Sequence, residues 1–61
     1  MANERIWQYV ELSHNEARAF RGFLSTLGIP FETSECFNNI LFSVFGDETE
    51  LDFCEQFLET L

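Results

Sequence analysis

Glu48, Asp52, Glu55 and Glu59 recur at steps of four, three and four residues, so a helix over this stretch would carry all four carboxylates along one side. Like charges placed this way are neighbours, and each such pair costs about 0.2–0.5 kcal/mol. Glu59 adds to the cost because it would stand at the helix end where negative charge is disfavoured, for about 1 kcal/mol in all. Adjacent carboxylates in the row would be one turn apart, about 5–6 Å of rise, comparable to the spacing of successive phosphates on a nucleic-acid strand. The chemistry such a row offers is imitation of a polyanion.

A plainer account is a solvated helix face in a protein kept soluble by charge, since one face of any surface helix must be polar. Ordinary solvated faces mix signs. This one does not, because the chain has no lysine and its three basic residues, Arg5, Arg18 and Arg21, all lie in the first 21 positions. From Gly22 onward the ionised groups are Glu32, Glu35, Asp47, Glu48, Glu50, Asp52, Glu55 and Glu59. The formal net charge of -8 resides there, because Glu4, Glu11 and Glu16 balance the arginines. Glu32 and Glu35, read as strand residues, extend the negative area beyond the helix. A field of one sign repels nucleic acid and anionic membrane and draws the body toward basic clefts.

Catalytic chemistry finds little to use. His14 is the sole histidine and falls in a predicted first helical turn, with no second imidazole for a metal. Cys54 lies on a predicted core stripe, where thiols are inert packing groups. The carboxylates sit on an open helix face, without the desolvation that would separate an acid from a base. Gly22, Gly28 and Gly46 form no phosphate loop. The expectation is a protein that is not an enzyme and uses no metal or cofactor.

Periodicity along the chain indicates which helices and strands carry these carboxylates. Residues 5–12 alternate with the two-residue period of a strand, Ile6, Val10 and Leu12 on one side and Trp7, Tyr9 and Glu11 on the other. Ser13-His14-Asn15-Glu16 is a capping box opening a helix whose apolar positions are Ala17, Phe20, Leu24 and Leu27, flanked by Phe23. Gly28 suits its C-terminal cap and Pro30 forbids continuation. Residues 31–37 and 40–45 read as a hairpin turning at Asn38-Asn39. Asp47 and Glu50 form a second acidic cap, and Leu51, Cys54, Leu58 and Leu61, with Phe57 beside them, make the buried stripe of a second helix.

The order βαββα implies one α+β domain over residues 1–61. A right-handed crossover leaves a gap that the third strand fills antiparallel to both others, giving order 2-3-1 with both helices on one face. This topology resembles a ferredoxin-like fold lacking its last strand, a likeness that carries no function with it. It makes residues 5–12 an open edge. Trp7 and Tyr9, joined by Leu41, Phe45 and Cys36, should then project from a bare apolar face of the kind that marks an interface. Stacking on nucleic-acid bases is the poorer reading of these rings, because no basic groove accompanies them.

Only a thin core is available to 61 residues, and an aromatic content of 16% argues for a folded chain. Cys36 and Cys54 lack metal or redox spacing and read as reduced thiols. The start shows no secretory leader and no stretch is long and apolar enough to span a bilayer, so a cytoplasmic protein is expected. In size, charge and want of catalytic residues the chain resembles phage-encoded DNA-mimic inhibitors, anti-CRISPR proteins among them. That resemblance implies an inhibitor in the host cytoplasm whose partner is a protein with a basic nucleic-acid-binding surface, contacted through Glu48, Asp52, Glu55 and Glu59, with Glu32 and Glu35 as a second patch. It implies no direct binding of nucleic acid and no membrane contact. The alternative expectation is a homo-oligomeric structural or regulatory module, a homodimer for example, pairing through the first strand and the aromatic face of Trp7, Tyr9, Leu41 and Phe45.

Overall fold

The computed structural model describes residues 4–61; residues 1–3, part of the start read above as lacking a leader, lie outside them. Strand β3 (Asn39–Gly46) sets the frame. Its Ile40, Phe42 and Val44 are buried, while the intervening Leu41, Ser43 and Phe45 are half-buried on the other side. It runs between β1 (Ile6–Leu12) and β2 (Phe31–Cys36), antiparallel to each. The outer strands are therefore parallel, and helix α1 (His14–Leu27) connects them while α2 (Glu48–Glu59) follows β3. The α+β arrangement is βαββα with order β1-β3-β2, as the periodicity implies.

Both helices pack on the face of Ile40, Phe42 and Val44. Phe20 of α1 meets Phe42 edge-on at 5.0 Å between ring centroids, and Phe57 of α2 stacks on Phe23 at 4.3 Å. Ala17, Leu24, Ile29 and Cys54 complete the core. Each helix begins where its cap dictates: the Glu16 amide donates to Ser13 Oγ at 3.3 Å, and the Glu50 amide to Asp47 Oδ1 at 2.8 Å. The reciprocal bonds, from the Ser13 and Asp47 amides to Glu16 and Glu50, are also made. Gly28 closes α1 at φ 71°, a left-handed conformation that a side chain would resist.

Three expectations shift. Leu27 and Leu61, assigned to buried stripes, are 48% and 47% exposed. Ile29, turned inward just past the glycine cap, is buried instead and closes that end of the core. The hairpin turns at Phe37-Asn38, one residue early, and Asn39 joins β3 opposite Cys36. Its register has a packing cause: Phe31 lies opposite Val44 with its ring 5.8 Å from that of Phe42, whereas a turn at Asn38-Asn39 would slide Phe31 opposite Gly46.

The positive φ of the turn thus falls on Phe37 (56°), at a position such turns usually give to glycine. Its ring is 97% exposed and stabilises nothing in the fold. Relief of a left-handed side chain is worth roughly 1–2 kcal/mol, against about 0.5–1 for the extra chain entropy of glycine. Phe37→Gly is therefore expected to raise stability by about 0.5–1 kcal/mol, read as a higher urea midpoint at unchanged slope.

Candidate functional site

Asp47 and Glu50 hold the start of α2, so their charge is accounted for locally. Glu50 also accepts from Arg5 at 3.5 Å, an exposed pair worth about 1 kcal/mol at most. Glu48, Asp52, Glu55 and Glu59 are different. All four are exposed, and at 3.6 residues per turn they fall within an arc of about 60°. Among the described residues none makes an ion pair or a side-chain hydrogen bond.

The flank on which they stand is set by what the rest of α2 touches. Cys54, Leu51 and Leu58 face the sheet and core, and Phe57 faces α1. The acidic row therefore runs along the side of α2 turned away from α1. On α1 the converse holds: Phe23 and Leu27 point toward α2, so His14, Arg18 and Arg21 occupy the far flank, where they line a shallow hollow with Ala17 and Ile40. The helical layer is thus polarised, with bases along one outer side and acids along the other.

Glu32 and Glu35 do not form the second patch. Glu32 lies opposite Ser43 and Glu35 opposite Ile40, so the pleat sends them to different faces of the sheet. Their spacing of three, which would unite them on a helix, separates them on a strand. Neither joins the row on α2: Glu32 is on the open face, and Glu35 is paired with the residue that lines the basic hollow.

The open face is as alternation predicts. Trp7 packs on Phe45 at 4.9 Å, with Leu41 and Ser43 half-buried along the same side. Trp7 and Tyr9 remain 47% and 64% exposed, and Cys36 borders this face from β2.

One surface goes unnoticed in the sequence. Phe23, Leu27, Phe53, Gln56, Phe57 and Thr60 line a groove of about 380 Å³ between the helices. Two apolar pairs at spacing four, Phe23/Leu27 and Phe53/Phe57, are its signal. They were hidden because each helix has a second, stronger stripe toward the core.

Both cysteines are free. Burial, and next the Glu50 carboxylate, push the Cys54 thiol up from its ordinary value of 9.0, which keeps it protonated and unreactive. No set of His, Cys, Asp and Glu among the described residues could hold a metal, and none of their helices is long and apolar enough to cross a membrane. No family model, curated protein or solved structure matches the chain.

The acidic row should reduce stability measurably. Glu59 stands in the last turn of α2, which has no basic residue. Glu59→Lys removes a repulsion with Glu55, substitutes an attraction, and places positive charge at the favourable end of the helix. A gain of about 0.5–1 kcal/mol is expected in thermal or urea unfolding at low salt, shrinking as salt rises.

Proposed function

We propose that the protein is a small acidic inhibitor which occupies the basic nucleic-acid-binding site of a larger protein and excludes DNA or RNA by mimicking the phosphate backbone, in the manner of anti-CRISPR proteins. The observation that carries this reading is the row of Glu48, Asp52, Glu55 and Glu59, exposed, without partners among the described residues and confined to one flank of one helix. Each feature costs a little stability, and a surface serving only solubility would gain more from mixed charge. The row sits on a capped helix anchored by Cys54, Leu51 and Leu58, so its geometry is fixed before a partner arrives and little ordering is needed on binding.

Attraction at a distance would come from the whole charge of -8, and register from the spacing along α2. On this reading the protein is not a catalyst, requires no cofactor, does not itself bind nucleic acid, and acts in the cytoplasm of the host cell. The test is capture from host lysate on the immobilised protein. The retained partner is expected to bind nucleic acid, to be released by rising salt, and to be displaced by added DNA or RNA. A partner indifferent to both salt and competitor would overturn the proposal.

A further inference from the structure

The edge strand has a symmetry independent of the acidic row. Read outward from Gln8, the residues on either side match in kind: Trp7 with Tyr9, Ile6 with Val10, and Arg5 with Glu11, a cation answering an anion. On its outer side β1 has no pairing partner among the described residues. Residues 6–10 carry none of the usual guards of an open edge, for they include no charge and no proline. Ile6 is 55% exposed, Trp7 47% and Tyr9 64%.

We propose that β1 pairs antiparallel with β1 of a second copy about a two-fold axis at Gln8, giving a continuous six-stranded sheet. In that register Trp7 lies opposite Tyr9 of the second copy, Ile6 opposite Val10, and Arg5 opposite Glu11, and each pairing occurs twice. Residues directly opposite in an antiparallel ladder point to the same side, so the aromatic pairs extend the open face of Trp7 and Phe45 while the aliphatic pairs extend the helix-bearing face. The axis stands perpendicular to the sheet and the contact is isologous, which closes the assembly at two.

Neighbouring registers lose this match. Centring on Tyr9 sets Trp7 against Glu11, and centring on Trp7 sets Arg5 against Tyr9 and Ile6 against Gln8. The two charged residues are free to take part: among the described residues Arg5 has only its loose contact with Glu50 at 3.5 Å, and Glu11, which accepts from Asn39 Nδ2 at 2.8 Å, retains a second oxygen. A second copy also supplies what a chain of this length lacks, more apolar burial than one thin core provides.

The test is a charge swap read by sedimentation of the full chain over a concentration series, with circular dichroism confirming the fold. The wild type is expected to dimerise. Arg5→Glu and Glu11→Arg each set like charges opposite one another twice and should weaken the dimer roughly tenfold or more. The double variant restores both pairs in reversed sense and should recover most of the wild-type affinity. Tyr9→Lys should leave a folded monomer. A wild type that stays monomeric throughout would overturn the proposal, as would a dimer in which the double variant is no better than the singles.

Discussion

Phe20→Ala is expected to remove most of the protein's stability at room temperature. The ring is fully buried and lies 5.0 Å from Phe42, 6.1 Å from Phe57 and 6.2 Å from Phe23. Among the described residues it is the one side chain that touches the sheet and both helices through aromatic contacts, so deleting it opens a void where all three meet. Such truncations cost about 3–5 kcal/mol. At about 0.05–0.15 kcal/mol per residue a chain of 61 residues has only about 3–9 kcal/mol in total. Circular dichroism in urea should show a native baseline shortened or missing altogether. Phe53→Ala removes the same ring from a site 50% exposed and should shift the midpoint far less. An unchanged midpoint for Phe20→Ala would mean that the helices are held to the sheet by something other than this cluster.

The contrast between Phe20 and Phe53 also shows how far pattern can be read. Element order and both capping boxes follow from local rules, because alternation, capping and a glycine stop each act within a few residues, and the strand order follows from the handedness of the crossover. Burial at the helix ends does not. Leu27 and Leu61 continue the correct spacing, but Leu27 lines the groove between the helices and Leu61 lies beyond the end of α2, while Ile29 is turned inward only because Gly28 reverses the chain. The hairpin turn obeyed packing over propensity: two asparagines were available, yet seating Phe31 against Phe42 put the positive φ on Phe37. The candidate site divides the same way. The row on α2 is a property of one helix and was visible, whereas the divergence of Glu32 and Glu35 depends on a strand's pleat, and the polarity of the helical layer depends on how α1 and α2 face each other.

That divergence makes it possible to separate position from total charge. Replacing Asp52, Glu55 and Glu59 with lysine changes the net charge by six, from -8 to -2, and inverts the row. Complex formation with the captured target is expected to fall by at least roughly a hundredfold, because like charges juxtaposed across an interface cost several kcal/mol. The fold should survive: Glu48 gains an attractive neighbour at position 52 and lysine at position 59 suits the helix end, which offsets the repulsions among the new lysines. Replacing Glu4, Glu32 and Glu35 instead reaches the same -2 while leaving the row intact, and all three are exposed. If backbone mimicry by α2 is the mechanism, this second variant keeps most of its binding and loses chiefly the rate of encounter and part of the salt dependence. Equal loss in both variants would mean that bulk charge, not the row, drives binding. Undiminished binding by the first would remove the acidic strip from the interface altogether. Salt completes the comparison, since screening reaches about 10 Å at 0.1 M. The wild-type complex should weaken steadily as salt rises, and the row-inverted variant, having lost the attraction, should show little further response.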